Sequence, residues 1–304
     1  MTGAWRRLGP LPLDLSGAAW ARTHAALPTL EPIGAPRWNV YLSTRDAANR
    51  ARIGRSMLTL EPSPALRPLD QEPVLDLGER GAFDEDGVTV SCVVPDGSRR
   101  FLYYTGWQRG GAGEARFTLT AGLAVDEGDG RFRRPSSGPV LERTEGESSF
   151  TASPFVLRER NLWRMWYVAG SSWRSVGSRE EPCYDIRYAE SPDGTSWSRL
   201  GSCIAHTAEE YAFGRPWVVR DADRYRMWFA VRGERYRIDA AESFDGVTWR
   251  RIDGSSGLGP SDHGWDSEMV EYPAVLDHAG RRYMLYNGND YGRTGIGLAV
   301  WEPG

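Results

Sequence analysis

The sequence predicts an all-β fold, a five-bladed β-propeller with four antiparallel strands in each blade. Two observations predict it. A segment of roughly 50–60 residues recurs along the chain, the length of one four-stranded blade, and no stretch shows a sustained helical period. The repeat can be traced in five copies. Because each blade packs against the next around one axis, we expect residues 1–304 to form a single domain.

Two copies of the repeat are almost identical. One contains Trp163-Arg-Met-Trp-Tyr-Val-Ala and later Ala189-Glu-Ser-Pro-Asp-Gly, and the other contains Tyr225-Arg-Met-Trp-Phe-Ala-Val and later Ala241-Glu-Ser-Phe-Asp-Gly. Alternation of apolar and polar residues is typical of strands, and Asp-Gly is typical of the tight turn between two strands. We therefore interpret both Asp-Gly elements as structural turns and not as catalytic motifs.

Three weaker copies complete the count, with alternating runs near the turn residues Pro36, Asp96 and His278. The last copy shows no fourth strand after residues 296–300, whereas Trp5-Arg-Arg-Leu-Gly near the beginning of the sequence is similar to a fourth strand. We expect this N-terminal strand to pair with residues 296–300 and close the ring, because the pairing would protect two sheet edges that otherwise promote aggregation.

Charge and composition exclude several classes of protein. All 37 basic residues are arginine and the formal net charge is −4. Lysine-based Schiff-base chemistry is therefore excluded, and the scattered arginines do not form the basic stripe of a nucleic-acid-binding protein. The sequence has no apolar run long enough to cross a bilayer, no signal-peptide pattern, and three cysteines that are not spaced as metal pairs. We expect a cytoplasmic protein, a monomer or weak oligomer, without a nucleic-acid or membrane partner.

Aligning the five copies on their first apolar strand places polar residues at the mouth of the central funnel. The innermost strand of each blade begins there, so these side chains are expected to converge. Glu268 and Glu271 are three residues apart, and because strands alternate faces both can point inward only if a bulge or turn intervenes. The predicted funnel residues are His24, Asp84, Asp86, Arg215, Glu268 and Glu271.

His24 has three interpretations. It can be a core histidine that bonds only to nearby backbone, a general base, or a ligand of a divalent metal together with Asp84, Asp86 or Glu271. No pair of ligands close together in the sequence supports the metal. No cofactor is therefore certain, and the divalent metal stays an alternative.

Aromatic and amide residues follow the second strands of three copies. They are typical of sugar-binding pockets, in which rings stack on the sugar and amides bind its hydroxyl groups. Two arginines could instead bind the carboxylate or phosphate of an acidic sugar. The predicted substrate-binding residues are Arg215, Arg232, Trp107, Trp173, Asn289 and Tyr291.

With these motifs the chain resembles the five-bladed propellers of the glycosidase type, which include invertases, arabinanases and β-mannoside phosphorylases. The resemblance covers the whole chain and rests on the blade repeat, including Trp163-Arg-Met-Trp-Tyr and Ala189-Glu-Ser. More closely, the chain is similar to an uncharacterised family-32-like bacterial group through Phe83-Asp-Glu-Asp-Gly-Val and Gly264-Trp-Asp-Ser-Glu-Met. The resemblance implies an enzyme that acts on carbohydrates with two or three carboxylates at the axis.

The sequence departs from the family pattern where the catalytic carboxylates would lie. The first blade has Thr23-His-Ala in place of Asn-Asp-Pro-Asn-Gly, Arg45-Asp-Ala lies one blade earlier than the family's Arg-Asp-Pro, and Ser149-Phe-Thr-Ala-Ser replaces the third-blade acid. The catalytic residues of the family therefore cannot be assigned one by one to this chain.

We expect a hydrolase-like, carbohydrate-active enzyme that acts on a glycoside, a sugar phosphate or a nucleotide-sugar-derived substrate. Asp84 or Asp86 would face Glu268 or Glu271 as an acid–base pair, since glycosyl transfer needs carboxyl groups roughly 5 Å apart for retention or about 6.5–9.5 Å apart for inversion. The alternative is a non-hydrolytic propeller of saccharide or natural-product biosynthesis, either metal-assisted through His24 or a saccharide-binding protein. In both cases the expected partner is a small saccharide or an acidic sugar-like ligand.

Overall fold

The computed structural model describes residues 3–110, 117–177, 179–207, 209–252 and 256–304. Apart from one 3₁₀ turn (Glu145–Glu147) and one short helical turn, α1 (Asn289–Gly292), its elements are strands, so the chain is all-β as predicted. Within the described residues, no helix has the length and apolar character needed to cross a membrane.

In chain order the strands are β1 (Gly3–Leu11), β2 (Thr23–Pro32), β3 (Arg37–Arg45), β4 (Ala51–Thr59), β5 (Ala65–Leu66), β6 (Gly87–Asp96), β7 (Arg99–Arg109), β8 (Phe117–Asp126), β9 (Phe150–Glu159), β10 (Leu162–Val176), β11 (Arg179–Ser191), β12 (Ser198–Ser202), β13 (Ala212–Arg220), β14 (Tyr225–Arg232), β15 (Tyr236–Ser243), β16 (Arg250–Arg251), β17 (Glu271–His278), β18 (Arg281–Asn287) and β19 (Ile296–Pro303).

Strand pairing divides the described residues into five antiparallel units. Unit I is β2-β3-β4-β5, unit II is β6-β7-β8, unit III is β9-β10-β11-β12, unit IV is β13-β14-β15-β16, and unit V is β17-β18-β19-β1. Two short parallel contacts, between β8 and β9 and between β11 and β13, join units II, III and IV. The units follow the sequence repeats, so each copy of the repeat folds as one antiparallel sheet.

Unit II departs from the predicted four strands. In the described residues its three strands are followed by isolated bridges, Ala121 to Leu141 and Val125 to Arg133, in place of a fourth strand. The segment between β8 and β9 contains Pro135 and Pro139. Because proline has no backbone N–H to donate to a ladder, this segment touches β8 only at single points.

The inner strands of the units contact one another in a closed ring. β2 contacts β6, β6 contacts β9, β9 contacts β13, β13 contacts β17, and β17 contacts β2. A closed ring of sheets that meet along their first strands is the architecture of a β-propeller. The first strand of every unit therefore faces a common axis.

The N-terminal strand pairs with the last strand, as the sequence predicts. β1 and β19 are antiparallel, with Trp5 opposite Trp301. Trp5 also reaches unit IV, because its Nε1–H and that of Trp228 both donate to the carbonyl oxygen of Ser256, at 3.0 Å and 3.1 Å. β1 thus ties unit V to unit IV.

The repeated Asp-Gly elements are turns, as predicted. Asp193 Oδ1 accepts hydrogen bonds from the backbone N–H groups of Thr195 (2.7 Å) and Ser196 (2.9 Å), and Gly194 has a φ of 78°. Asp245 accepts two backbone hydrogen bonds in its own turn in the same way. Both carboxylates therefore stabilise local backbone.

Candidate functional site

A cavity of about 1020 Å³ lies where the inner strands of the five units meet. Every unit contributes to its lining, including Leu27 from unit I, Thr89 from unit II, Ser153 from unit III, Arg215 from unit IV and Glu271 from unit V. Small-molecule sites in proteins have volumes of about 300–1,000 Å³. The axial cavity is therefore large enough for a ligand of more than one ring.

In four inner strands two consecutive residues line the cavity, although strands normally alternate faces. In each of them a residue that precedes a proline has a φ between 48° and 57°, and the strand register shifts at that point. Such left-handed backbone costs roughly 1–3 kcal/mol for a residue other than glycine. The bulges therefore store strain in order to aim side chains at the axis. The paired residues are Ala26 and Leu27, Ala152 and Ser153, Gly214 and Arg215, and Glu271 and Tyr272.

Glu271 is the carboxyl group that the bulge of unit V delivers to the cavity. Its side chain is fully buried, at 0% exposure, and neither Oε1 nor Oε2 has a hydrogen-bond partner among the described residues. Burial raises the pKa of Glu271 well above its usual 4.5, although Tyr272 and two nearby arginines act in the opposite direction. Burial therefore favours the neutral, protonated form of the Glu271 carboxyl group.

Asp84, predicted as an axis carboxylate, does not line the cavity. It is fully buried within unit II, where its Oδ2 accepts hydrogen bonds from the Tyr104 hydroxyl at 2.8 Å and from Arg134 Nε at 2.7 Å. The sequence pattern gave no sign of Arg134 as its partner, because the two residues are far apart in the chain. Asp84 is thus a member of a buried polar cluster away from the axis.

Asp86 and Glu268 also lie outside the cavity lining. Asp86 Oδ2 accepts a hydrogen bond from the backbone N–H of Arg109 at 2.8 Å. Glu268 is exposed in the loop before β17. Of the four predicted carboxylates, the structure brings only Glu271 to the axis.

His24 begins the inner strand of unit I but does not line the cavity. Its Nδ1 lies 2.9 Å from Thr23 Oγ1, and burial, followed by the charge of Arg45, lowers the pKa of His24 to about 4. The imidazole is therefore neutral at neutral pH. In the part of the chain that the structure describes, no three His, Cys, Asp or Glu side chains come together as metal ligands, so the predicted grouping of His24 with axis carboxylates is not formed there.

Arg215 lines the cavity as expected, but most of its donors are already used. Nη1 donates to the carbonyl oxygens of Val90 (3.0 Å) and Ser91 (2.6 Å). Nη2 donates to the Pro28 carbonyl (3.1 Å) and the Thr29 hydroxyl (2.6 Å). The guanidinium therefore cross-links the inner strands of units I, II and IV, and its main role is to hold the axis together.

Arg232 also lines the cavity and is paired. Its Nη1 lies 2.8 Å from Glu181 Oε2, and the guanidinium lies over the rings of Tyr211 and Tyr236 at 5.4 Å and 5.2 Å from their centroids. These contacts fix the orientation of Glu181, which lines the cavity as well.

Arg45 is a cavity residue that the sequence reasoning did not assign to the site. It donates to Asn49 Oδ1 at 3.1 Å and has no carboxylate partner within the described residues. The sequence signal for Arg45 was the Arg45-Asp-Ala segment, which resembles the family's Arg-Asp-Pro motif but lies one blade earlier. Because no carboxylate of the described residues neutralises it, the Arg45 guanidinium suits an anionic ligand.

Three of the four predicted aromatic and amide residues, Trp107, Trp173 and Tyr291, line the cavity. Asn289 does not. Its Oδ1 accepts hydrogen bonds from the backbone N–H groups of Glu268 (2.8 Å) and Met269 (3.2 Å). Asn289 therefore anchors the loop that leads into β17.

Tyrosines supply much of the polar lining, and sequence reasoning missed most of them. The hydroxyl groups of Tyr184 and Tyr236 are 2.9 Å apart, and the Tyr236 ring meets Tyr291 edge-on with centroids 6.1 Å apart. Tyr272 follows Glu271 in the bulge of unit V. In four inner strands a residue directly before a proline lines the cavity, and this recurring position is the sequence signal for Tyr272.

Comparison with known proteins gives both a family and a fold. No protein-family model matches the chain. The chain is 42% identical over 301 residues to the uncharacterized protein Rv1502 of Mycobacterium tuberculosis strain H37Rv, covering 98% of this chain and 99% of that protein. The uncharacterized protein MT1551 of Mycobacterium tuberculosis strain CDC 1551 is also 42% identical over 301 residues, with the same coverage of both chains.

Solved structures with a similar fold include glycoside hydrolases. One glycoside hydrolase has a TM-score of 0.77 and 18% identity, covering 100% of this chain and 93% of that chain. A thermostable family-43 glycoside hydrolase has a TM-score of 0.64 and 14% identity, covering 95% and 92%. At these identities the likeness shows the fold, which is a β-propeller of the glycoside hydrolase type. With 42% identity over nearly its whole length, the chain belongs to the same family as the mycobacterial protein Rv1502.

Proposed function

We propose that the protein is a carbohydrate-active enzyme that binds a saccharide in the axial cavity and breaks a glycosidic bond there, with Glu271 as proton donor. The observation that carries the proposal is the Glu271 carboxyl group, which is fully buried, faces the cavity and has no hydrogen-bond partner among the described residues. Protonation of a glycosidic oxygen needs a carboxylic acid that stays neutral at working pH. The fold shared with glycoside hydrolases supports the same chemistry.

We propose Glu181 as the second carboxyl group, in place of the pair expected from the sequence. It lines the cavity from β11, and its Oε2 lies 2.8 Å from Nη1 of Arg232. In hydrolysis, Glu271 gives its proton to the leaving oxygen as the bond from the anomeric carbon to that oxygen breaks. Water supplies the new hydroxyl group on the anomeric carbon, and Glu181 accepts the proton that water loses.

An anionic group on the ligand fits the arginine that the protein leaves available. Arg45 faces the cavity without a carboxylate partner in the described residues. Guanidinium groups bind carboxylates and phosphates through paired hydrogen bonds. We therefore propose an acidic sugar, bearing a carboxylate or a phosphate, as the substrate class.

We also propose that units I to V are the five blades of one propeller domain. The support is the ring of contacts among their five inner strands and the pairing of β1 with β19. Each unit then contributes one wall segment to a single ligand site.

Turnover of Glu271→Gln, compared with Glu268→Gln, tests the catalytic proposal. Both changes replace a carboxyl by an amide near the start of β17, but only Glu271 faces the cavity. On a panel of 4-nitrophenyl glycosides and uronides, kcat of Glu271→Gln should fall by roughly 10²–10⁴ because the amide cannot donate the proton, while Glu268→Gln keeps wild-type kcat. Equal kcat values for wild type and Glu271→Gln would reject Glu271 as the acid.

A saccharide-binding protein is the second candidate. It is favoured by the burial of Asp84 away from the axis, which leaves the cavity without the carboxylates that the family pattern would place there. If no glycoside of the panel is turned over while saccharides still raise the melting temperature, the binding function is the correct one.

A further inference from the structure

We infer that the cavity takes a glycoside whose aglycone is an aromatic group, and that this group packs on an arc of four aromatic rings across the cavity from Glu271. The inference rests on the proposed function and specifies the leaving group of the substrate. The aromatic arc consists of Trp107, Phe117, Phe150 and Trp173, all of which line the cavity.

The four rings contact one another in a continuous row. The ring centroids of Trp107 and Phe117 are 5.3 Å apart, those of Phe117 and Phe150 are 5.7 Å apart, and those of Phe150 and Trp173 are 5.9 Å apart. Each spacing lies in the range of roughly 4.5–7 Å at which aromatic side chains attract one another. The arc is therefore pre-organised before any ligand binds.

The arc lies on the opposite side of the axis from Glu271. Its rings belong to units II and III, and in the closed ring of inner strands unit V lies across the axis from the boundary between units II and III. Unit V supplies Glu271 and Tyr272, and its neighbours, units I and IV, supply Arg45 and Arg232. The side of units II and III thus carries the four rings, with Glu181 and Tyr184 of unit III beside them, and the side of unit V carries Glu271 and Tyr272.

An aromatic aglycone fits the arc better than a second sugar. The indole N–H of Trp107 already donates to Thr89 Oγ1 at 3.1 Å, and Leu119 and Val168 extend the apolar lining beside the rings. Hydroxyl groups of a second sugar that lie against the ring faces would lose water there without gaining a hydrogen bond from the rings, which is costly. A flat aromatic group loses no hydrogen bonds and stacks on the rings.

Binding of the free aglycone 4-methylumbelliferone tests the arc without requiring knowledge of the sugar. We expect saturable quenching of tryptophan fluorescence, with binding weakened about tenfold in Phe117→Leu and in Trp173→Leu, because leucine keeps apolar volume but removes the stacking ring. Phe244→Leu is the matched control, since Phe244 is 76% exposed and lies outside the cavity. This variant should bind the probe as the wild type does.

The inference is overturned if 4-methylumbelliferone shows no saturable binding, or if both arc variants bind it as tightly as the wild type. Its failure can be told apart from failure of the proposed function through Glu271→Gln. This variant should bind the free aglycone normally and lose turnover. Retained turnover in Glu271→Gln would reject the catalytic proposal, whereas normal probe binding in the arc variants would reject the aromatic aglycone.

Discussion

Asp84 and Glu271 are both acidic residues with 0% exposure, yet their surroundings are opposite. Asp84 accepts hydrogen bonds from Tyr104 and Arg134, and the Arg134 guanidinium also lies 5.6 Å from the centroid of the Tyr104 ring. Glu271 faces a cavity and accepts no hydrogen bond from the described residues. The fold compensates Oδ2 of Asp84, while Asp84 Oδ1 and both carboxyl oxygens of Glu271 have no hydrogen-bond partner among the described residues.

Burial alone therefore does not identify a functional carboxyl group. A buried polar group without a partner costs about 1–3 kcal/mol of stability, so its retention calls for another explanation. Glu271 has such an explanation in the cavity, whereas the charge of Asp84 already meets that of Arg134. The partners of a buried acid therefore distinguish its role.

Replacing each acid by its amide should separate Glu271 from Asp84 most strongly in kcat. Glu271→Gln should lower kcat by roughly 10²–10⁴, and Asp84→Asn should keep kcat near that of the wild type when it is assayed well below its melting temperature. The reason is that, of the two residues, only Glu271 lines the cavity. A native circular dichroism spectrum combined with an equally large loss of kcat in Asp84→Asn would break the comparison.

The free energy of unfolding should depend on Asp84 more than on Glu271. Asp84→Asn should lower the free energy of unfolding by about 2–4 kcal/mol, because it removes the negative charge that Arg134 meets at 2.7 Å in a buried cluster. Glu271→Met should leave the free energy of unfolding unchanged or raise it by about 1–2 kcal/mol. Urea denaturation of both variants measures these values, and a stability loss in Glu271→Met as large as that in Asp84→Asn would contradict the assignment.

A smaller effect is expected on the pH dependence of stability. The folded state raises the pKa of Glu271 above 4.5, so above that pH the unfolded chain loses this proton while the folded chain keeps it. The stability that Glu271 contributes is therefore complete below about pH 4.5 and is lost as the pH rises toward its folded pKa. The free energy of unfolding of wild type should fall relative to that of Glu271→Gln between about pH 5 and pH 8. A difference that stays constant over this range would show that Glu271 is ionised in the folded protein.

Two arginines, Arg134 and Arg45, differ in the same way as the two acids, and the difference should appear in ligand binding. Arg134 is bound to Asp84, whereas Arg45 has no carboxylate partner in the described residues. Arg45→Gln should weaken binding of 4-nitrophenyl glucuronide by about tenfold, the contribution of one charge-assisted contact. Binding of the neutral 4-nitrophenyl glucoside serves as the internal control and should not change. An equal loss of affinity for both probes would mean that Arg45 shapes the cavity but does not bind the carboxylate of the ligand.

The fold could be predicted from the sequence because its signals are local. The repeats, the Asp-Gly turns at Asp193 and Asp245 and the similarity of the Trp5 segment to a fourth strand all lie within short windows. Period-2 alternation reports strands directly. The missing fourth strand of unit II was the exception, because its prolines act through lost ladder hydrogen bonds and not through hydrophobic pattern.

The site could be predicted only in part, because its geometry depends on long-range contacts and on backbone strain. Glu271 enters the cavity through a bulge at Tyr272, where φ is 57°, and alternation of faces does not report such a bulge. Asp84 is removed from the axis by a bond to Arg134, fifty residues further along the chain. Arg215 was expected to bind ligand, but it bonds to units I and II instead. Position along the inner strand therefore indicated candidates but not roles.

The pairing of β1 with β19 has a consequence for synthesis on the ribosome. Trp5 and its partner Trp301 are separated by nearly the whole chain, and contacts of such separation form late because loop closure must come first. While the chain is being made, β1 has no β19 beside it, and open strand edges are where chains pair with one another. A nascent chain of this protein is therefore most exposed to misassembly until its last strand leaves the exit tunnel.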